Sequence, residues 1–194
     1  NTIVDINKRL LFGANDSVIA LSEMTFDLSV YDIFGMLAIG ATCVLLRSDR
    51  ARDPSYWVEL IAKYNITVWD SVPAFLQILL EYLDEPKKAE YEKSELKSLK
   101  VIMLSGDYIP LTLPVDVRRL MPGPVQLIGM GGATEASIWS NFFAIQDVDP
   151  RWVSIPYVRP LSNQRYYILD QYLEPVPVGV MGDLYIAGDG LAKG

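Results

Sequence analysis

Four short segments carry groups that could do chemistry, and each comes shortly after a strand-like run. Asp27 offers a carboxylate for a ligand ammonium group, and Asp70 offers a second carboxylate at the end of an apolar run. Residues 105–107 (Ser-Gly-Asp) contain a glycine that permits a planar or phosphate ligand to approach the backbone. Residues 129–135 expose glycine N–H groups suited to an anion, and Glu135 is an oxygen donor suited to Mg²⁺.

Each segment also has a purely structural interpretation. Asp27 can cap the helix that begins there, and Asp70 can cap the helix that begins at Pro73. If Asp70 is instead buried in its strand, its carboxylate needs a partner. The glycine-rich segment lacks the lysine of a P-loop and the spacing of a dinucleotide-binding fingerprint. Taken singly, the four segments therefore leave binding and structural roles open.

The composition excludes several classes of site. The chain has 194 residues, no histidine and one cysteine, which excludes Ser-His-Asp and Cys-His catalysis, histidine-containing zinc sites and an internal disulfide. We expect Cys43, inside an apolar run, to be a buried small apolar residue rather than a nucleophile. The net charge of −7 disfavours nucleic acid and anionic lipid as partners. No apolar stretch reaches the roughly 20 residues of a membrane-spanning helix, so we expect neither nucleic acid nor membrane as a partner and a cytoplasmic location.

The order of the elements predicts how the four segments come together. Helical patterns begin near Asp27, Asp53, Pro73 and Pro110. They separate strand-like runs at 18–22, 42–46, 66–70, 99–104 and 125–128. This alternation predicts an α/β fold with a mostly parallel sheet flanked by helices. Ligands of such sheets bind at the carboxyl ends of the strands, where all four segments would lie.

The character of the chain changes near residue 155. Residues 164–170 and 183–187 are strand-like and are joined by a link that contains proline and glycine. We assign residues 1–155 to an α/β subdomain and residues 156–194 to the start of a small β-barrel-like subdomain. Residues 84–98, rich in Lys and Glu, predict a solvated helix or loop face. Both ends look cut, so we expect a piece of a longer protein.

Three segments occur in an order that resembles a known family. Residues 26–29 (Phe-Asp-Leu-Ser), residues 131–135 (Gly-Gly-Ala-Thr-Glu) and residues 182–194 resemble the fourth, fifth and sixth core motifs of adenylation domains of nonribosomal peptide synthetases. These domains belong to the adenylate-forming enzymes. The resemblance covers essentially the whole chain, and the closing Gly-Asp-Leu-Tyr-Ile-Ala-Gly run is its most diagnostic part.

The resemblance implies a reaction and its partners. An amino-acid carboxylate is activated with ATP and Mg²⁺, and the acyl group passes to the phosphopantetheine thiol of a peptidyl carrier domain. A condensation-type domain of the same synthetase is a further partner. A substrate carboxylate is already nucleophilic, so no side chain need act as a general base, and catalysis is positioning plus charge neutralisation.

The resemblance also implies roles for individual residues. Asp27 would hold the substrate α-ammonium group. Thr134 and Glu135 would be the catalytic residues, Thr134 at the phosphate and Glu135 as the metal ligand. The nucleotide would lie along Gly106, Asp107, Gly131, Gly132, Ala133 and Thr134. The substrate side chain would be surrounded by Leu28, Tyr31, Asp70, Met103, Ser105, Met130, Ile138 and Trp139.

This pocket lining is similar to that of cysteine-activating domains, which usually carry Asn where this chain has Asp70. We therefore expect cysteine or another small polar amino acid, while an ionised Asp70 would favour a small diamino acid. Three further positions depart from the family pattern. Gly131 and Ala133 stand where Tyr and Pro are usual, which removes a ring that would stack on adenine, and Val158 stands where Gly is usual.

Other functions stay open. An acyl- or aryl-acid CoA ligase of the same fold has no ammonium group to neutralise, which Asp27 argues against. Thr134 and Glu135 argue against a non-catalytic nucleotide-binding module, and a generic Rossmann domain leaves the closing glycine motif unexplained. The phosphate loop expected before residue 1, and the ribose-binding Asp and catalytic Lys expected beyond residue 194, lie outside the sequence. We therefore expect no turnover by these residues alone.

Overall fold

The computed structural model describes residues 1–86 and 93–193, and it confirms the predicted α/β architecture. In the described part, one sheet contains six strands in the order β2-β1-β3-β4-β5-β6. The first five strands are parallel and β6 is antiparallel to β5. The strands are β1 Ser17–Ala20, β2 Thr42–Leu45, β3 Val68–Ser71, β4 Val101–Leu104, β5 Gln126–Gly131 and β6 Asn141–Ala144.

Helices cover both faces of this sheet. The α-helices are α1 Thr2–Arg9, α2 Leu28–Val30, α3 Pro54–Tyr64, α4 Pro73–Asp84 and α5 Leu113–Leu120. A π-helix, Tyr31–Gly35, continues α2, and short 3₁₀ turns occupy Ser48–Arg50 and Thr134–Ala136. None of the helices in the described ranges has the length and apolar character needed to cross a bilayer.

The strands alternate between two apolar clusters, one on each face. On β3, Trp69 packs with the helices α3, α4 and α5, whereas Val68 packs with α1 and α2. Asp70 follows Val68 by two positions and therefore points to the α1 and α2 face. Its register partners are Ala20 of β1 and Met103 of β4. The sheet thus places a carboxyl group in an otherwise apolar row.

The predicted start of α3 is confirmed in detail. Asp53 is the N-cap, and its side chain accepts hydrogen bonds from the N–H groups of Ser55 and Tyr56, while Pro54 occupies the first turn. Asn65 ends the helix in the left-handed conformation. Tyr64, the last residue of the helix, is 46% exposed.

The helix predicted to begin near Asp27 is confirmed at its start, but it is not a regular α-helix. It starts as α-helix and widens into a π-helix at Tyr31, so that Tyr31, Asp32 and Gly35 are all buried. Gly35 is required there, since a Cβ would lie 2.7 Å from the ring of Tyr31. π-helical turns of this kind are frequent at functional sites. The widened turn directs Asp32 inward as well as Tyr31.

The chain after β6 forms a separate two-stranded antiparallel sheet, β7 Gln164–Leu169 with β8 Asp183–Gly188. These strands agree with the predicted start of a small β unit, while the boundary near residue 155 stays a prediction. Part of the predicted solvated segment, residues 87–92, lies outside the described residues. Within the rest of that segment Leu96 is fully buried, so its solvation was overestimated.

Candidate functional site

The segment after β5 closes into a tight loop that requires glycine. Ser140 donates its N–H to the carbonyl of Gly131 at 2.8 Å. A Cβ at Gly132 would lie 2.7 Å from the Ser140 nitrogen and 2.8 Å from the carbonyl oxygen of Ile138. No side chain therefore fits at position 132 without opening the loop.

The loop turns back through two residues with left-handed backbone. Ser137 has φ 61° and Ile138 has φ 72°. Left-handed backbone is strained for a β-branched residue, and such strain is concentrated at functional sites. The turn returns the chain to Trp139, which is fully buried.

Hydrogen bonds to the closing glycine motif, residues 182–194, hold this loop in place. The hydroxyl of Ser137 donates to the carbonyl of Gly190 at 2.6 Å, and the N–H of Ala192 donates to the carbonyl of Glu135 at 2.7 Å. Gln164 on β7 donates its side-chain amide to the carbonyl of Trp139 at 3.2 Å. The two glycine motifs quoted in the sequence therefore form one hydrogen-bonded unit.

Asp27 forms a hydrogen bond with the same loop. The hydroxyl of Thr134 donates to Asp27 Oδ2 at 2.7 Å, and the side chain of Asp27 makes no capping hydrogen bond to its helix. Asp27 therefore occupies the predicted N-cap position of α2, but its carboxylate accepts from Thr134 and not from the N–H groups of the helix. Within the described ranges the Glu135 side chain is exposed and makes no hydrogen bond or ion pair. The structure thus brings Asp27, Thr134 and Glu135 to the same edge of the sheet.

A cleft of about 600 Å³ opens beside this edge, at the carboxyl ends of β4 and β5. Of the predicted nucleotide-binding residues, Gly106, Asp107 and Gly132 line it, whereas Gly131, Ala133 and Thr134 do not. Residues that the sequence reasoning missed complete the wall: Tyr108, Ile109, Ser154, Ile155, Pro156, Tyr157 and Leu184, among others.

Tyr157 fills the space left by the missing aromatic residue of the fifth motif. A Cβ at Gly131 would fall within the ring and hydroxyl of Tyr157. The Tyr157 hydroxyl lies beside the Gly132 N–H. The buried side chain of Asn141 accepts the N–H of Val158 at 2.8 Å, which fixes this segment. The pairing of a glycine at 131 with a tyrosine at 157 was the signal available in the sequence.

The other two departures also have structural reasons. Ala133 has φ −135°, far from the value near −65° that proline requires. Val158 is not among the described residues with positive φ, so its backbone does not demand glycine.

The predicted substrate-pocket residues lie together on the α1 and α2 face of the sheet. The rings of Tyr31 and Trp139 are 4.9 Å apart, and Trp139 Nε1 donates to Ser105 Oγ at 2.9 Å. The Tyr31 hydroxyl donates to Asn7 Oδ1 at 2.7 Å, which fixes its ring. One apolar cluster contains Leu28, Tyr31, Met103, Met130 and Trp139, with Ile138 packed against it.

Asp70 does not cap α4, whose N-cap is Val72. It lies within β3, fully buried, and neither of its oxygens has a hydrogen-bond donor among the described residues. Asp32, which sequence reasoning missed, is in the same state, and the two carboxyl groups are within hydrogen-bonding reach of each other. Burial, then the neighbouring Asp70 carboxyl, raises the pKa of Asp32. Burial, then the charge of Asp27, raises the pKa of Asp70.

Cys43 is less buried than the sequence predicted, but its thiol stays protonated near neutral pH. It is half-buried on β2, and burial together with the charge of Asp32 raises its pKa to about 11. A protein-only metal centre is not found in the described ranges, where no cluster of three acidic, Cys or His ligands occurs. A metal ion at Glu135 would therefore need ligands from a bound substrate.

A protein-family model matches the whole of this chain. The model described as "AMP-binding enzyme" matches residues 1–194. The chain belongs to the AMP-binding enzyme family. The α/β sheet, the glycine loop after β5 and the cleft beside it all lie within the matched residues.

Curated relatives of this AMP-binding chain include nonribosomal peptide synthetases. The chain is 46% identical over 194 residues to the anguibactin system regulator of Vibrio anguillarum. It is 44% identical over 195 residues to pyochelin synthetase PchF of Pseudomonas aeruginosa, and 43% identical over 195 residues to bacitracin synthase 1 of Bacillus licheniformis. All of the chain is covered in each case, but only 18%, 10% and 4% of these relatives.

Solved structures agree with this assignment. The nonribosomal peptide synthetase FmoA3 (S1046A) matches all of the chain, and the chain covers 20% of it, with 41% identity and a TM-score of 0.91. Structures of FmoA3 with AMPPNP and with α-methyl-L-serine-AMP match with TM-scores of 0.91 and 0.90. The resemblance to adenylation domains is confirmed.

Proposed function

We propose that this chain forms the amino-acid site and one wall of the nucleotide site of an adenylation domain. The domain would activate a small polar amino acid with ATP, releasing pyrophosphate. The observation that carries the proposal is the hydrogen bond from Thr134 to Asp27. It joins the carboxylate suited to a substrate ammonium to the loop suited to phosphate, which supports binding of the two substrates side by side.

At the amino-acid end, Asp27 binds the α-ammonium group. Thr134 engages only Oδ2 of Asp27, and no described donor reaches Oδ1, which leaves that oxygen for the substrate. A partly buried carboxylate gains from such an opposite charge, because the ligand offsets the cost of its desolvation. The substrate carboxylate is then directed towards Thr134.

At the nucleotide end, Gly106, Asp107 and Gly132 allow the base and ribose to lie against the backbone, and Tyr157 offers a ring face. The AMPPNP complex of FmoA3 supports a nucleotide in this cleft. A substrate carboxylate oxygen attacks the α-phosphorus, and pyrophosphate leaves. Glu135 would hold Mg²⁺ together with phosphate oxygens, and the metal would supply charge neutralisation when bound. This chain contributes positioning rather than a general base.

The pocket favours a small polar side chain. Trp139 and Met130 limit its depth, while the Ser105 hydroxyl, which already accepts from Trp139, keeps its own O–H to donate. We propose cysteine as the first candidate. The FmoA3 complex with α-methyl-L-serine-AMP supports a small polar amino acid in this family.

We further propose that the acyl group is passed to the phosphopantetheine thiol of a peptidyl carrier domain, with a condensation-type domain as neighbour. The support is the similarity to synthetases of which this chain spans 10% or less. The chain alone would not turn over, since no lysine or arginine is among the described residues that line the cleft to neutralise triphosphate.

The test is ATP–pyrophosphate exchange by the full-length protein with a panel of amino acids. We expect one strong signal from a small polar amino acid, its loss in Asp27→Ala, and no effect of Asp147→Ala, a change at an exposed position. Activity with aryl or acyl acids and CoA, unaffected by Asp27→Ala, would show a CoA ligase instead.

A further inference from the structure

The contact between the π-helix and β3 contains an acid pair that the proposed reaction does not use. Asp32 and Asp70 are both fully buried. Their carboxyl groups are within hydrogen-bonding reach of each other, yet all four oxygens lack a donor from the described residues. Two ionised carboxylates have no hydrogen to share. A single added proton supplies the one hydrogen bond that this geometry permits.

Among the described residues, no cation offsets the negative charge of this pair. The charges that act on the pair come from Asp27, and the pair in turn acts on Tyr31 of the same helix and Cys43 of β2. Asp16 also acts on Tyr31. No lysine or arginine of the described ranges contributes. A pair of buried like charges without a cation favours binding a proton.

We propose that Asp32 and Asp70 share one proton, and that Asp32 is a positioning residue which makes Asp70 a hydrogen-bonding wall of the substrate pocket. The pair then keeps one negative charge instead of two, with Asp32 as the donor, and Asp70 accepts a hydrogen bond from a substrate group such as a thiol, a hydroxyl or a second ammonium group. This role of Asp70 rests on the proposed function. It explains how an aspartate can stand where cysteine-activating domains usually have asparagine.

The protonation of neighbouring groups supports this assignment. Burial raises the pKa of Tyr31, and burial with the charge of Asp32 raises that of Cys43 to about 11. Both groups therefore stay neutral between pH 6 and 9. Burial and the Asp70 carboxyl raise the pKa of Asp32. Burial and the charge of Asp27 raise the pKa of Asp70, while the hydrogen bond with Asp32 lowers it, as expected if Asp32 donates the shared proton.

The shared proton is tested without reference to activity. In the protein labelled with ¹³C at aspartate carboxyls, we expect the resonances of Asp32 and Asp70 to titrate above the ordinary aspartate range. Each resonance is identified by its loss in the corresponding variant, Asp32→Asn or Asp70→Asn. Two resonances that titrate near pH 4 would overturn the proposal.

Stability provides a second test. A carboxyl whose pKa is raised on folding stabilises below its unfolded pKa and loses that contribution as pH rises through its folded pKa. We therefore expect Asp32→Asn and Asp70→Asn to gain stability relative to the wild type between pH 5.5 and 8.5, with Asp147→Asn unchanged. A difference in the free energy of unfolding between variant and wild type that is the same at pH 5.5 and pH 8.5 would overturn the proposal.

Selectivity is tested by exchange in the full-length protein with cysteine, serine and 2,3-diaminopropionate. We expect Asp70→Asn, which removes the remaining charge of the pair, to lower exchange with 2,3-diaminopropionate relative to cysteine and serine at least tenfold, with Asp147→Asn unchanged. A ratio that Asp70→Asn leaves unchanged would overturn the role of Asp70 beside the substrate side chain. Exchange with no amino acid would overturn the proposed function, while the carboxyl titration still decides the shared proton.

Discussion

Thr134 donates a hydrogen bond of 2.7 Å to the carboxylate of Asp27, a residue 107 positions earlier in the chain. The bond crosses from the glycine loop after β5 to the helix after β1. It fixes the rotamer of Asp27 before any substrate arrives, and so orients the free oxygen. The proposed amino-acid site and the loop beside the proposed nucleotide cleft are therefore joined by one contact.

We predict that Thr134→Val raises the KM for the amino acid and Thr134→Ser does not. A hydrogen bond to a charged group contributes about 1.5–3 kcal/mol, or roughly 10- to 100-fold in KM. Steady-state pyrophosphate exchange in the full-length protein measures this effect. If Thr134→Val changed only kcat, the hydrogen bond would not orient Asp27 for binding.

We predict that Tyr157→Ala weakens nucleotide binding and Tyr157→Phe largely preserves it. Stacking of a base on an aromatic ring contributes about 1–3 kcal/mol, so a loss of roughly 5- to 100-fold in affinity is expected, measured by calorimetry with a nonhydrolysable ATP analogue. Tyr172, 76% exposed on the turn between β7 and β8, supplies the control Tyr172→Ala. Equal affinities for wild type and Tyr157→Ala would remove Tyr157 from the site.

We predict that Gly132→Ala destabilises the protein and Gly123→Ala does not. The added Cβ at 132 would meet backbone atoms at 2.7 and 2.8 Å, whereas nothing lies within 4 Å of a Cβ at 123. Overpacking of this kind costs about 1–3 kcal/mol. Chemical denaturation of the two variants makes the comparison, and similar midpoints would contradict a closed loop.

We predict that Asp16 stabilises the protein at neutral pH but not in acid. Although burial alone would raise its pKa, hydrogen bonds from Gly13, Thr67 and Lys100 lower it. Its contribution is present above the unfolded pKa near 3.8 and is lost as pH falls through the folded pKa. Asp16→Asn should therefore lose about 1–2 kcal/mol at pH 7 and much less below pH 3.

Denaturation curves at pH 7 and pH 3 measure this difference, with Asp147→Asn as the control. A deficit of Asp16→Asn that is equally large at both pH values would show that the ionised carboxylate is not what stabilises the amino ends of β1 and β3.

Much of the fold could be predicted because its strands are short apolar runs separated by helical periodicity. The π-helix could not, since the residues of Tyr31–Gly35 fit either a 3.6-residue or a wider turn. Asp32 therefore did not stand out as a candidate site residue. Strand β6 was missed because Asn-Phe-Phe-Ala is short and follows the glycine loop directly, without a helical crossover.

The site was predictable where motifs carry it and not where it depends on distant contacts. Asp27, Thr134 and Glu135 stand in recognisable runs, and the structure brings them together. Tyr157 and Asp32 contact the site through residues 131 and 70. Nothing in their local sequence records those contacts, which arise only when the sheet and the following segment are assembled.

The hydrogen bonds from Ser137 to Gly190 and from Ala192 to Glu135 have a mechanical consequence. The backbone that carries the proposed magnesium ligand is tethered to the segment that follows β8. A displacement of that segment would pull on Glu135 and Thr134 together, so rearrangement of the smaller unit would be transmitted to the reacting phosphate without any direct contact with it.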